Sequence, residues 1–289
     1  MKIGVTVLLI LAVLLAAVLI LNRPRQITID AAIPEAFPED GFSHAVFEAL
    51  LQSYVDDAGD VNYERWHSNT ADLQGLDSYL AAVSQFSPAT TPARFESKQD
   101  ELAYWLYAYN AYVIKSILDR WPLESVTNVK APLELVKGLG FFHQLRFVFG
   151  GKAYSLYAVE NDIIRGRYRD ARIHFVLNCA SESCPVLRPE LPSGEDLEAF
   201  LQQSAIDFVS DPGNVSIDHD KKEIVLSAIF KWFRSDFLND LRRRGLSSER
   251  GLVDYLASVA PASLKDELVG ANDYDIVFID YDWRVNQQE

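Results

Sequence analysis

Arg172-Ile-His-Phe-Val-Leu-Asn-Cys-Ala-Ser-Glu-Ser-Cys-Pro185 holds one of the five histidines and both cysteines of the chain, and its reading decides the rest. From Ala171 to Cys179, Ile173, Phe175, Leu177 and Cys179 fall on one side and Arg172, His174, Val176 and Asn178 on the other. That period of two predicts a half-buried strand. It sends Cys179 into the core and His174 to the opposite face. Cys184 lies beyond, in a Ser/Glu/Ser turn from which it can fold back toward His174.

Outward from this stretch, the pattern alternates between helical and extended periodicity without regular βαβ order, which predicts a single mixed α+β domain. Hydrophobic residues make up 49% of the 289 and aromatics 12%, enough for a sizeable core. The strongest helix spans Glu101 to Leu118, where Leu102, Trp105, Leu106, Tyr109, Val113 and Ile117 share one stripe. Asn110 falls beside that stripe, so its amide needs a partner, either a neighbouring loop or a reacting group. Shorter helices are expected from Ser43 to Tyr54, from about Ala71 to Val83, and near Leu252 to Val259. Further helical turns are expected over Leu156–Ile164, which bears Glu160, after Ser193, and after Ser227 with Ile229, Phe230, Phe233 and Phe237 on one face. Strands are expected at Phe141–Phe149 and Lys152–Leu156 about Gly150-Gly151. Val215–Asp218 and Glu223–Leu226 should form a polar hairpin, and Ile276–Ile279 a final strand.

Ile3 to Leu21 is an uncharged apolar run between Lys2 and Arg23. At about 1.5 Å per residue it nearly matches a hydrocarbon core of roughly 30 Å. It ends in Leu19-Ile20-Leu21 rather than the small residues of a cleavage site, so residues 1–22 are expected to be an uncleaved transmembrane anchor. Residues 23–41, with Pro24, Pro34 and Pro38, read as a tether, and 42–289 as the globular domain. A short tail before the anchor and an acidic domain after it suit a single-pass protein of a bacterial inner membrane, its domain in the periplasm. The net charge of −14 excludes a nucleic-acid backbone as partner.

Several stretches stand out together: Gly59-Asp-Val-Asn-Tyr63, Leu102-Ala-Tyr-Trp105 with Ala108-Tyr-Asn-Ala111, Ser155-Leu156 through Glu160 and Ile164-Arg165, and Arg172-Ile-His-Phe175 with Asn178-Cys179 and Ser183-Cys-Pro185. Leu226 to Trp232, Asp236-Phe237, and Tyr281-Asp-Trp283 with Asn286 complete the set. In this order and combination they resemble the domain-of-unknown-function 547 family. The resemblance implies a fold like that of papain-like thiol hydrolases and a Cys, His and acid site. Carried onto this chain, the site is His174, one of Cys179 and Cys184, and Glu160. One departure is Tyr107, where the family often has Asn.

A thiol becomes a useful nucleophile when a base or a positive field raises its thiolate fraction. Cys184 precedes Pro185, a residue favoured at the first position of a helix, so a short helix there would aim N–H groups at its sulfur. Asn178 and Arg188 could support the site, the latter by its charge. Cys179 is the alternative nucleophile and, by parity, also a candidate core residue. Each functional reading has a plainer one beside it. The two cysteines could form a disulfide, in which case the cleft would bind a peptide or small molecule without catalysis. His174 could satisfy a structural carboxylate, and Glu160 could pair with Arg165 or Arg172. A zinc site of His174, Cys179 and Cys184 lacks a fourth ligand, and no cofactor is expected. His44, His67, His143 and His219 are weaker candidates.

Overall fold

A computed structural model of the chain describes residues 23–131, 134 and 137–288. The expected anchor, residues 1–22, lies outside the described residues; among those described, no helix is long and apolar enough to cross a membrane. The fold is α+β. Helices α1 (Ala45–Tyr54), α2 (Tyr63–His67) and α3 (Thr70–Gln85) precede the long α4 (Lys98–Leu118). β1 (Arg25–Gln26), β2 (Leu145–Phe149) and β3 (Lys152–Tyr154) form one small sheet, with β1 parallel and β3 antiparallel to β2. β4 (Val215–Asp218), β5 (Glu223–Leu226) and β6 (Asp275–Phe278) form a second, with β5 in the centre.

The axis of the first lobe is α4. Its capping box is closed by Ser97 and Asp100: the Ser97 hydroxyl accepts from the Asp100 N–H at 3.1 Å, and the Asp100 carboxylate accepts from the Ser97 N–H at 3.0 Å. From Leu102 to Ile114 every residue is buried, so the helix is enclosed on all sides rather than along one stripe. Enclosing tyrosines requires acceptors for their hydroxyls. Tyr104 donates to the Phe86 carbonyl at 2.7 Å, Tyr112 to that of Val148 at 2.6 Å, and Tyr107 to that of Pro192 at 2.5 Å. The phenol of Tyr107 thus ties down the loop after the cysteines.

A second core gathers around α6 (Asp196–Ser210), α8 (Arg234–Arg243), α9 (Leu252–Val259) and the second sheet, and α10 (Ala262–Gly270) adds Leu268 to it. Ile173, Val176 and Leu177 belong to the first core, Ala171 and Phe175 to the second. This division explains the main correction to the sequence reading. Ala171–Phe175 is a turn of 3₁₀-helix, not a strand. Its apolar residues are shared between two cores, and a strand would have committed them to one face.

Three other expectations change. Gly140–Gln144 is a wide helical turn, so strand β2 begins only at Leu145. A Cβ on Gly140 would lie 2.1 Å from the Val129 carbonyl oxygen, so only glycine lets the chain enter that turn. The helix after Ser227 is broken at Phe233 into α7 (Ala228–Trp232) and α8. Finally, the segment read as a tether is fastened to the domain: β1 joins β2, and the Arg94 guanidinium donates to the carbonyls of Pro38 and Gly41 at 3.1 and 2.9 Å.

Candidate active site

A cavity of about 170 Å³ opens between the two cores, and His174, Cys179, Cys184 and Glu160 all line it. They reach it from three different devices. His174 comes from the 3₁₀ turn, which is capped by the Asp170 carboxylate accepting from the Arg172 N–H at 2.9 Å. Glu160 comes from α5 (Leu156–Ala158), which continues as a π-type helix over Val159–Tyr168. The i→i+5 bonding of such a helix brings residues five apart onto one face, and that is the spacing of Glu160 and Arg165.

The cysteines sit in a loop held at both ends. Asn110 of α4 donates to the Val176 carbonyl at 3.0 Å and accepts the Asn178 N–H at 2.9 Å, so its role is to pin this loop. Asn178 donates to the Pro185 carbonyl at 2.8 Å and accepts the Ala180 N–H at 2.7 Å, closing the turn over the two thiols. Outside the turn runs the C-terminal segment. Glu182 N–H donates to the Arg284 carbonyl at 2.9 Å, Asp282 N–H to the Ser183 hydroxyl at 2.9 Å, and Asn286 to the Gly59 carbonyl at 3.1 Å. Gly59 stands at φ +87°, and a Cβ there would lie 2.7 Å from the Leu187 nitrogen, so the strap and loop meet at a position that only glycine fills.

His174 is 3% exposed, and its Nε2 lies 2.9 Å from Oδ2 of Asp236. The imidazole stacks on Phe233 with centroids 3.8 Å apart. Asp236 stands in the first turn of α8, where the helix dipole favours a carboxylate, and Arg165 grips it through Nε at 2.6 Å and Nη2 at 3.1 Å. Burial alone would push the Asp236 carboxyl up, but His174 and Arg165 outweigh it and hold it well below the usual range. Burial pulls the His174 ring below its ordinary value, with Asp236 restoring part of the loss, so the resting imidazole is neutral. The acid on the histidine is therefore Asp236, and not Glu160 as the sequence reading had it. Asp236 is 62 residues from His174, and no local spacing links the two.

Both cysteines are free thiols. Cys184 Sγ accepts the Cys179 backbone N–H at 3.0 Å, and the Tyr281 hydroxyl stands 3.1 Å from each sulfur. Burial opposes ionisation of Cys184, but hydrogen bonds from Cys179, from Tyr281 and from the backbone of Ser181 and Cys179 outweigh it and lower its pKa. The hydrogen bond to Cys184, with burial, pushes Cys179 well above the ordinary thiol value. Of the two, Cys184 is the sulfur built to carry a charge. The donors come from the turn itself; no helix begins at Pro185. Nor does Arg188 serve the sulfur, because it is salt-bridged to Asp207 and lines other clefts. No hydrogen bond joins Cys184 Sγ to the His174 ring among the described residues, although both face the same cavity.

Glu160 stands apart from the His174 pair. It hydrogen-bonds Tyr109, and burial, reinforced by the charge of Asp236 and opposed by Arg165, pushes its carboxyl up to about 7. The remaining wall is aromatic: Trp232 lies 4.8 Å from Tyr281 and 5.7 Å from Trp283, centroid to centroid. The other histidines lie elsewhere. His44 is buried against Tyr79, His67 meets the Leu118 carbonyl, His143 stacks on Tyr157 and His219 meets Tyr274. Among the described residues, no group of three or more His, Cys, Asp or Glu is arranged to hold a metal ion.

Residues 93–209 match the family described as "Protein of unknown function, DUF547". This segment is a DUF547 domain. The DUF547 match runs from just before α4 to α6, so it carries Asn110, Glu160, His174 and both cysteines but stops short of Asp236 and Tyr281. The two partners that sequence reasoning missed as site residues thus lie beyond the matched segment. The short Asp236-Phe237 and Tyr281-Asp-Trp283 motifs were their only signal. No curated protein and no solved structure matches the chain.

Proposed function

We propose that the domain is a thiol hydrolase or acyltransferase acting on an amide or peptide-like bond, with Cys184 as nucleophile, His174 as base and then acid, and Asp236 orienting the imidazole. The observation that carries this reading is that the buried His174, held from behind by Asp236, lines the same cavity as Cys184, whose thiol pKa is lowered. Asp236 occupies Nε2, which leaves Nδ1 as the ring nitrogen for the reacting groups. The Cys184 proton passes to Nδ1 as the sulfur attacks the carbonyl carbon. The same proton then moves to the leaving nitrogen as the carbon–nitrogen bond breaks, leaving a thioester. Water releases the acyl group as an acid, or an acceptor amine takes it. The Tyr281 hydroxyl and the Cys179 N–H, which address the sulfur at rest, are the donors at hand for the oxyanion. Catalytic hydrogen bonds are often long before substrate binds, so the missing Cys184–His174 bond is compatible with this sequence. With residues 3–21 as an anchor, the domain would work at a bacterial inner membrane on its periplasmic side, and its set of Cys, His and acid would match the roles that the family resemblance implies.

The second reading is a non-catalytic module that binds a peptide or small molecule in the same cavity, its cysteines paired by oxidation. It is favoured by the resting contacts, in which Tyr281 rather than His174 holds both sulfurs. Thiol titration of the native protein together with labelling by an acyl-donating thiol probe separates the two. The enzyme reading expects two titratable thiols and labelling that disappears in Cys184→Ala; two unreactive sulfurs in functional protein would sink it.

A further inference from the structure

Glu160 is the carboxylate that lines the cavity, and the chemistry above does not use it. Arg165 supplies one positive charge to two carboxylates, chelating Asp236 while also acting on Glu160 from a distance. His174 is neutral at rest, so it does not supply the second. Glu160 is left with Tyr109 as its hydrogen-bonding partner, in a pocket whose other walls are largely rings. A thiolate on Cys184 would add a further negative charge to the same space. Burial is the main reason the Tyr109 phenol resists ionisation, and Glu160, Cys179 and Cys184 add to it.

We propose that this cavity takes a ligand bearing a primary ammonium group, with Glu160 as its counter-ion and the Trp232, Tyr281 and Trp283 rings flanking it. Two independent features point the same way. A cation beside Glu160 removes the excess negative charge, and the aromatic faces attract a cation through their quadrupoles. One of these rings already has a cation near it, Lys137 Nζ at 5.7 Å from the Trp283 ring centre, and the neighbouring Phe233 ring has the Arg165 guanidinium at 4.9 Å. Trp232 is 48% exposed and supplies the surface over which such a ligand would enter. The inference rests on the cavity being the place where an acyl substrate binds, and it names that substrate's class as an amide carrying an amine near the scissile carbonyl. It also gives Glu160 a specificity role in place of the triad role.

The test is equilibrium binding of 4-aminobutanamide and butanamide to the full-length Cys184→Ala protein at pH 8, followed through the tryptophan indole N–H signals in an NMR titration. At that pH Glu160, with its value of about 7, is mostly ionised. The probe's amine, a Lys-type group titrating near ~10.4, is protonated. The ammonium compound should bind at least ~10-fold more tightly, the ratio should shrink to within ~2-fold in Glu160→Gln, and Trp232→Ala should weaken it several-fold. Because Trp232 is half exposed, its truncation leaves the cores intact and serves if Glu160→Gln fails to fold. Equal affinity, no binding of either amide, or a preference that survives loss of both side chains would overturn the proposal. Binding of this kind without acyl labelling of the wild-type protein would remove the hydrolase reading alone; labelling without the ammonium preference would remove this inference alone.

Discussion

Nε2 of His174 and Oδ2 of Asp236 are 2.9 Å apart across an interval of 62 residues, and the same carboxylate is chelated by Arg165. This relationship fixes which ring nitrogen can face Cys184. Asp236→Asn keeps the shape but removes the charge that Arg165 and His174 share. Acylation of Cys184 should then fall by about 10²–10⁴-fold, as expected when an orienting carboxylate loses its charge, while the far-UV spectrum stays unchanged. An unaltered acylation rate would mean that the pair is only structural.

The hydroxyl of Tyr281 stands 3.1 Å from both sulfurs. Tyr281→Phe withdraws one of the hydrogen bonds that lower the Cys184 pKa, so the midpoint of the alkylation pH profile should move upward. A midpoint that stays in place would assign the lowered value to the backbone donors alone.

Elements whose information is local were readable from the sequence, and those whose information is shared between distant parts were not. Helix α4, the Val215–Leu226 hairpin and the final strand fall close to where periodicity places them. The Arg172–Pro185 stretch misled because its alternation is real but is spent on two different cores. Period two does not distinguish a strand from a turn wedged between them. The assignment of Glu160 failed for a related reason. Glu160 and Asp236 both approach Arg165 in space, and only three-dimensional geometry shows which of them meets the histidine. Cys184 could be read as the better nucleophile from its place beyond the alternating segment, yet the donors that lower its pKa come from its own turn and from Tyr281, 97 residues on.

Asn110 holds the cysteine-bearing loop from behind. Asn110→Ala leaves the Val176 carbonyl and the Asn178 N–H without partners in a buried setting, and should cost about 2–4 kcal/mol of stability. Urea denaturation measures it; a loss below about 0.5 kcal/mol would show that water replaces the amide.

His44 sets an acid limit on the fold. Burial lowers its pKa from the ordinary 6.5 to about 3, with the ring wedged against Tyr79 and Tyr107. A depressed histidine contributes stability above its unfolded pKa and loses it as pH falls toward the folded one. His44 should therefore erode stability between pH 6.5 and about 3, by an amount on the order of a few kcal/mol, and the lowered His174 adds to the loss below 6.5. Glu160 runs in the opposite sense, because its raised value makes its contribution fade as pH rises toward about 7. In His44→Gln the acid limb of a stability-against-pH curve should flatten; an unchanged slope would assign acid unfolding to other groups.

The most direct test of the central claim is peptide-mapped mass spectrometry of the native protein after brief exposure to an activated acyl ester. The account predicts one acyl mass, on the peptide containing Cys184, present in Cys179→Ala and lost in both Cys184→Ala and His174→Ala. An acyl group found on Cys179, or on neither cysteine of a correctly folded protein, would contradict it.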